Sequence, residues 1–186
     1  MSHARVQYSK FRPVYPSPAG LVTSVDASGR PNIITLGEIF NLSIWNPVIV
    51  GIAIAPQRYS HELISRQREF VVNLPKADIM DKVWACGRCS GRNVDKFAEF
   101  GLTPLPATHV KPPLIAECPV NIECKVIGIE TIGDHDLFKG EVLEVHVDPD
   151  ILGTNGKIDP DKLDTIVMTS WGFFRLGPRI TDLSVG

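Results

Sequence analysis

The sequence contains no long hydrophobic segment and no marked excess of charge. No apolar stretch approaches the roughly 20 residues that a membrane-spanning helix needs, so no membrane segment is predicted. Residues 1–8 also lack the apolar core of a secretory signal peptide, and we expect a cytoplasmic protein. The formal net charge is only -2, which gives no basic stripe of the kind that binds nucleic acid.

The signatures of several enzyme classes are missing as well. We find no Ser-His-Asp order, no His-Glu-x-x-His, no Walker motif and no carboxylate cluster suited to a metal. A doubly wound nucleotide-binding fold is disfavoured, because no long helix follows each strand and no Gly-x-Gly-x-x-Gly is present. No motif therefore indicates a side-chain nucleophile or a metal ion.

Cysteine is scarce. The chain has 4 cysteines among 186 residues, which predicts reduced thiols rather than a disulfide scaffold. Cys86 and Cys89 form a Cys-x-x-Cys pair, which could be half of a zinc site or a redox dithiol. The other two thiols, Cys118 and Cys124, do not repeat that spacing. We therefore expect neither a metal site nor a dithiol at this pair.

Turns and strands are plentiful. Apolar residues make up 44% of the chain, enough for a hydrophobic core, and the length suggests one domain over residues 1–186. The 15 prolines and 15 glycines follow no period, which indicates many turns. Short strands alternate with short helices. The sequence thus predicts a mostly β protein, an antiparallel barrel or sandwich with small helical insertions.

The clearest element is a β-hairpin over residues 20–38. Residues 20–25 form a strand rich in Val, Thr and Leu, and residues 26–29 (Asp-Ala-Ser-Gly) form a turn. The returning strand ends among Asn32, Thr35, Gly37 and Glu38. Small and polar residues at the end of a strong strand suggest backbone and hydroxyl groups that are offered to a ligand.

Further elements are predicted from the period of the apolar residues and from caps and turns. Strands are expected at residues 48–54, 69–74, 120–126 (half-buried), 137–147 (with a bulge after Val142) and 165–169. A short apolar bridge is expected at 42–45 and a turn at 133–136. Helices are expected from an N-cap at Ser60 to about Gln67, from a cap at Asp78 to about Ala85 with a loop from Cys86, and up to Gly101.

Two turns could bind an anion. Arg58 and Ser60 stand at a helix start, where free N–H groups and the helix dipole favour phosphate. Ser90-Gly91-Arg92, followed by Lys96, combines small residues with positive charge. The alternatives are a serine cap with a solvated arginine, and a tight turn with surface charges. For each turn, the residues alone do not decide between anion binding and its alternative.

Two further features are weaker. His135 lies in a turn beside Asp134, where a histidine is usually solvated or bonded to the carboxylate. Phe173 and Phe174 near the C-terminus are core aromatics by default. From the residues alone, the chain is a β-rich domain with two candidate anion-binding turns.

Taken in order, the motifs resemble the FMN-binding split-barrel family of flavin reductase-like proteins, and within it the flavoredoxin branch. The resemblance covers most of the chain. It is carried by residues 21–26 with 29–35, Pro56-x-Arg58-x-Ser60, residues 70–73, Cys86-Gly-x-x-Ser-Gly-Arg-x-Val-Asp-Lys-Phe97, residues 133–135, Phe138-x-Gly-Glu-Val142 and Arg175-Leu-Gly177.

The resemblance implies an antiparallel split β-barrel that forms a homodimer, with FMN near the subunit interface. The implied activity is that of an FMN-dependent oxidoreductase taking hydride or electrons from NADH, NADPH or a protein donor. The alternatives are an FMN-binding electron carrier or a non-catalytic flavin-binding domain. The implied partners are small-molecule or protein electron donors and acceptors.

The resemblance also implies the site residues. The flavin ring and its side chain would lie near Asn32, Thr35, Leu36, Gly37, Glu38, Ala53, Ile54 and Ala55. The phosphate would be held by Arg58, Ser60, Ser90 and Arg92, and Lys96 would lie at the phosphate or at the ring edge. Gly91, Asn73 and Phe97 are also expected at the cofactor. The second substrate would dock near His135, Phe173 and Phe174, and His135 is the candidate for a catalytic side chain.

Overall fold

A computed structural model describes residues 7, 9–178 and 180. Its strands, in chain order, are β1 (Ser17–Pro18), β2 (Gly20–Val25), β3 (Pro31–Leu36), β4 (Ile39–Ser43), β5 (Ile49–Ile54), β6 (Glu69–Leu74), β7 (Pro104–Leu105), β8 (Leu114–Ile115), β9 (Val120–Ile132), β10 (His135–Val147), β11 (Ile166–Thr169) and β12 (Gly172–Arg175). Its α-helices are α1 (Tyr59–Gln67), α2 (Met80–Arg88), α3 (Lys96–Phe100) and α4 (Pro160–Leu163).

An antiparallel sheet of seven strands dominates the described part of the chain. Its order is β3-β2-β6-β9-β10-β5-β4, and β1, β11 and β12 form a separate three-stranded sheet. Every pair of neighbouring strands in the large sheet is antiparallel. The mostly β, antiparallel architecture predicted from the sequence is confirmed.

The predicted hairpin is formed by β2 and β3. The Asp26 carboxylate accepts hydrogen bonds from the backbone N–H groups of Ser28 (2.9 Å) and Arg30 (3.0 Å). Gly29 adopts a φ of 87°, a left-handed conformation that glycine adopts without a steric cost. Local chemistry therefore fixes the turn, and the turn fixes the register of the two strands.

Both faces of this hairpin are buried, because successive side chains of a strand point to opposite faces. Val22 belongs to a hydrophobic cluster with Phe70 and Phe138, whereas Leu21 belongs to a second cluster. The second cluster includes Val83 of α2 and other residues of the helical insertions. The helices thus pack against one face of the hairpin and position the loops that follow them.

The helix N-caps predicted at Ser60 and Asp78 are wrong. Arg58 is the N-cap residue of α1, and Ser60 lies inside the helix. Asp78 lies in a 3-10 turn, Ala77–Ile79, and α2 begins after it without a side-chain cap. In both places tertiary packing, rather than a capping side chain, sets where the helix starts.

The loop predicted from Cys86 is also wrong. Helix α2 continues to Arg88, because Val83 and Cys86 lie one turn apart on its buried face and pack into the second cluster. Only the first two residues of the apolar bridge predicted at residues 42–45 belong to a strand: β4 ends at Ser43 and pairs with β5 along the sheet edge. The turn predicted at 133–136 is shorter, since His135 already belongs to β10.

The strand predicted as half-buried carries a buried charge. The alternation of apolar and polar residues along residues 120–126 predicts an exposed Glu123, but the Glu123 side chain is completely buried. The carboxylate accepts hydrogen bonds from the backbone N–H groups of Thr108 (2.7 Å) and His109 (2.6 Å), and from His146 Nε2 (2.6 Å). The connector before β9 therefore folds over this strand. The predicted bulge after Val142 is confirmed by a register shift there.

The described helices include none that is both long and apolar enough to cross a membrane.

Candidate functional site

A cavity of about 360 Å³ opens between the end of β3, the end of β5, the start of α1 and the loop after α2. This volume lies in the range of small-molecule sites, which is roughly 300–1,000 Å³. Most of the residues expected at the cofactor line it: Asn32, Thr35, Leu36, Glu38, Ala53, Ile54, Ala55, Arg58, Ser60, Ser90, Gly91 and Lys96, together with His135. The fold thus brings both predicted anion-binding turns to one cavity.

Other expected site residues lie elsewhere. Asn73 is fully buried; its amide donates to the Leu21 carbonyl (2.9 Å) and accepts from the backbone N–H of Ile115 (3.1 Å). It therefore ties two segments of the core together. Phe97 is a core residue, and a side chain at Gly37 would collide with Met168.

Three more expected residues are outside the cavity. Arg92 forms an ion pair with Glu62 (2.6 Å), and its guanidinium carbon lies 4.5 Å from the centre of the Tyr59 ring. Arg92 therefore braces Tyr59, which does line the cavity. Phe173 lines a separate pocket beside Trp84, and Phe174 is exposed.

The start of α1 faces the cavity without a side-chain cap. Its N-cap residue, Arg58, has an extended backbone, and no side chain in the described ranges caps the 9-residue helix. Ser60, the residue expected to cap it, instead accepts a 2.7 Å hydrogen bond from the Asn32 amide. The first turn of a helix carries unsatisfied N–H groups and partial positive charge, so this end suits an anion.

Cationic side chains dominate the cavity's charge. Arg12, Arg58, Arg88 and Lys96 line it, whereas Glu38 is the acidic residue among its described lining residues. Glu38 is itself paired with Arg12 at 2.8 Å. A chain with a net charge of -2 thus concentrates positive charge in one cavity, which favours an anionic ligand.

Lys96 is the most deeply buried of these cations. Its ammonium group donates to the carbonyl oxygens of Ile33 and Cys86, both at 2.6 Å. Burial lowers the pKa of Lys96 below its usual value. An ammonium group has three donors, so the two carbonyls leave one for a ligand.

Asn32 presents an unpaired acceptor at the cavity wall. Its side-chain oxygen is buried and has no hydrogen-bond partner among the described residues. A β-carbon added at Gly91 would stand 1.9 Å from that oxygen, so any larger residue there would have to displace the Asn32 side chain. Buried polar atoms are usually hydrogen-bonded, and the unpaired oxygen is consistent with a donor supplied by a ligand.

Several lining residues were not expected from the sequence: Arg12, Ile34, Gln57, Tyr59, Cys86, Gly87, Arg88 and Cys89. Burial raises the pKa of Cys86 to about 12, which holds it as a thiol rather than as the thiolate that reacts or binds metal. Gly87 and Arg88 lie inside the Cys86-to-Phe97 motif, so the sequence carries a signal for them. Arg12 had no local signal, because only the folded arm brings it to Glu38.

Comparisons with known proteins identify the family. The model of the flavin reductase like domain matches residues 11–160. A protein of Archaeoglobus fulgidus is 40% identical over 116 residues, which cover 62% of this chain and 65% of that protein, just under two thirds of its length. The NADH:riboflavin 5'-phosphate oxidoreductase of Streptomyces pristinaespiralis is 29% identical over 129 residues, covering 69% of this chain and 70% of its own.

The fold is also similar to that of a solved protein structure. Flavoredoxin of Desulfovibrio vulgaris (Miyazaki F) is similar with a TM-score of 0.88 and 28% identity, over 97% of this chain and 98% of that one. The split-barrel fold class and the family resemblance drawn from the motifs are both confirmed. The chain belongs to the family of flavin reductase-like domains.

Proposed function

We propose that the cavity binds FMN and that the chain, as a single flavin-binding domain, is an FMN-dependent oxidoreductase. It takes a hydride from NADH or NADPH and passes the electrons to an acceptor. The observation that carries the proposal is the uncapped start of α1 beside Arg58, in a cavity whose other cations include Lys96. A phosphate group at this helix end would meet both the helix dipole and a charged donor.

The residues present fit FMN along the whole cavity. Arg58, Ser60, Ser90 and Gly91 would hold the phosphate, while Lys96 would donate to an electron-rich edge of the ring. The walls formed by β3 and by residues 53–55 supply backbone groups and apolar surface for the ring. The Thr35 hydroxyl already donates to the Val83 carbonyl at 2.5 Å, so it would accept from the ligand rather than donate to it.

When bound, FMN supplies the redox chemistry by accepting a hydride and returning electrons. The protein's residues bind and orient it and set the local charge. Lys96 and the Arg12–Glu38 pair fix that charge near the ring. His135 lines the cavity, its Nδ1 lies 2.9 Å from the Asp134 carboxylate, and it would be placed to hold or pass a proton there.

A second candidate function is an FMN-binding electron carrier with no nicotinamide oxidation of its own. The likeness to a protein named flavoredoxin favours it, whereas the relative named NADH:riboflavin 5'-phosphate oxidoreductase favours the enzyme. A domain that binds flavin without turnover would share the same cavity. The electron acceptor would be a small molecule or a protein, and the cytoplasmic location stays a prediction.

The enzyme and the carrier differ in their reaction with nicotinamide. We expect the FMN-loaded protein to lose its flavin absorbance within one turnover when it is mixed anaerobically with NADH or NADPH in a stopped-flow instrument. Rapid bleaching by either nucleotide rejects the carrier. Retention of the flavin band with both nucleotides, in a protein that does bind FMN, would instead reject the enzyme.

We also propose that the protein is a homodimer joined near β4, the edge strand of the large sheet. This strand and the segment after it expose Phe40, Leu42, Ile44 and Trp45, the last with 82% of its surface accessible. Exposed contiguous apolar surface of this kind marks interaction sites. Since β4 follows directly after Glu38, such an interface would lie beside the cavity.

The dimer can be tested at its most exposed aromatic residue. We expect sedimentation velocity to show a dimer at micromolar concentration and Trp45→Glu to shift it towards monomer, because a charge would be buried in the interface. Ile180→Glu is the matched control, since Ile180 is 99% exposed and distant in sequence from β4. A monomeric wild type, or equal effects of both substitutions, would contradict the interface.

A further inference from the structure

A second pocket, of about 460 Å³, adjoins the cofactor cavity. We call it the aromatic pocket; its lining residues are Phe11, Arg12, Trp84, Met168, Thr169, Ser170, Trp171, Gly172 and Phe173. Arg12 lines both this pocket and the cofactor cavity. The aromatic pocket and the cofactor cavity therefore meet at Arg12.

The walls of the aromatic pocket suit a flat ring. Trp84 and Phe173 contact edge to face, with ring centres 6.0 Å apart and an angle of 80° between their planes. Trp84 and Trp171 nevertheless remain 53% and 82% exposed. Large exposed aromatic side chains around a concave surface are poorly explained by the core, and aromatic rings recognise other rings by stacked or edge-on contact.

Positive charge stands at the junction of the aromatic pocket and the cofactor cavity. The guanidinium carbon of Arg88 lies 5.3 Å from the centre of the Trp84 ring, and Arg88 also lines the cofactor cavity. The structure gives Arg88 no ion pair with any described carboxylate, whereas Arg12 is paired with Glu38. An arginine that stacks on an aromatic wall and lacks a carboxylate can still bind a ligand's acid group through two parallel hydrogen bonds.

The pocket also contains an unpaired hydroxyl. The Ser170 side-chain oxygen is buried and has no hydrogen-bond partner within the described ranges. Aromatic walls, a cation at the rim and one polar group in the wall are the features of a site for a small ring compound with a polar substituent.

We propose that the aromatic pocket binds a small planar aromatic acid. Its ring packs against Trp84 and Phe173, and its acid group pairs with Arg88 at the entrance to the cofactor cavity. The ligand thus lies beside the bound cofactor as the second ligand of the same site. The inference rests on the proposed function only in identifying the neighbouring cofactor as FMN, because the pocket itself consists of this chain's own residues.

Glu38 would compete with an acidic ligand for Arg12. Its carboxylate holds the Arg12 guanidinium at 2.8 Å, and a ligand's acid group would compete for the same donors. Removing the charge of Glu38 releases Arg12, so that two arginines can serve one anion. Glu38→Gln is therefore expected to tighten the binding of an aromatic acid severalfold, the opposite of the effect of an ordinary disruptive substitution.

The test is isothermal titration of the FMN-loaded protein with benzoate, benzamide and cyclohexanecarboxylate. Benzoate should bind about tenfold more tightly than benzamide, because a charge-assisted pair with arginine is worth roughly a tenfold change. Arg88→Gln should abolish that difference, and Trp84→Leu should weaken benzoate and benzamide alike. Cyclohexanecarboxylate should bind more weakly than benzoate, since its puckered ring fits flat walls less well.

Arg66→Gln is the matched control, because Arg66 is an exposed arginine on α1 outside both pockets. Equal affinity for benzoate and benzamide, or equal effects of Arg88→Gln and Arg66→Gln, would overturn the proposal. Binding of NADH that depends on Arg88, with no benzoate binding, would also overturn it and make the pocket a nucleotide site. FMN binding is followed separately by absorbance, and the same titration is run on the FMN-free protein: Arg88-dependent benzoate binding by a protein that does not bind FMN would refute the proposed function and leave this inference standing.

Discussion

Replacing Arg58 with alanine is expected to weaken FMN binding by roughly ten- to a hundredfold and to leave riboflavin binding unchanged. A charge-assisted hydrogen bond is worth about 1.5–3 kcal/mol, and each 1.4 kcal/mol is about a factor of ten in affinity. Riboflavin has the same ring and side chain but no phosphate. The difference between the two ligands therefore isolates the phosphate contact at the start of α1.

The double variant Arg58→Ala/Ser60→Ala is expected to lose more affinity than Arg58→Ala. Ser60 is buried and holds the Asn32 amide at 2.7 Å, so circular dichroism must first show that the double variant is folded. Arg66→Ala, at the other end of the same helix, is the control for general loss of positive charge. Equal losses for FMN and riboflavin would show that Arg58 does not contact the phosphate.

The parts of the fold that depend on near neighbours in sequence could be predicted. The β2–β3 hairpin follows from Asp26 and Gly29, whose turn chemistry lies within five residues. Strand β4 could not be separated from a loop, because its pairing partner β5 decides it. The sequence also predicts α2 too short, since the face formed by Val83 and Cys86 gains its stability from the hairpin against which it packs.

In the candidate site, too, some residues can be predicted from short motifs and others are placed only by the fold. Arg58, Ser60, Ser90 and Gly91 belong to short motifs, and the fold brings them to one cavity. Asn73 belongs to a motif too, but its amide serves the core, which no local pattern reveals. Arg12 and Arg88 gain their positions from the folded arm and from the extended helix α2. The sequence therefore indicates a ligand's phosphate better than it indicates what borders the rest of the site.

Glu123→Gln is expected to destabilise the protein by roughly 3 kcal/mol, the cost typical of breaking a buried, hydrogen-bonded charge pair. Besides Thr108, His109 and His146, the carboxylate accepts a 3.2 Å hydrogen bond from the Val110 backbone. The glutamine side chain would point its NH2 group at N–H groups that also donate. Some of these buried donors would then have no acceptor. Urea unfolding should show a lower midpoint with an unchanged slope, and FMN affinity should stay the same, because Glu123 does not line the cavity.

The destabilisation should depend on pH with a defined sign. Burial acts to raise the pKa of Glu123, but hydrogen bonds from Thr108, His146 and His109 outweigh it and lower the pKa below the usual value. A carboxylate with a lowered folded-state pKa contributes stability above its unfolded pKa, about 4.3, and loses it as the pH falls through the folded value. The difference between wild type and Glu123→Gln should therefore be constant near neutral pH and shrink below about pH 4. Glu130→Gln, an exposed site on the same strand paired with Lys139, should cost much less, and an equal cost would show that the hydrogen bonds to Glu123 do not hold the connector in place.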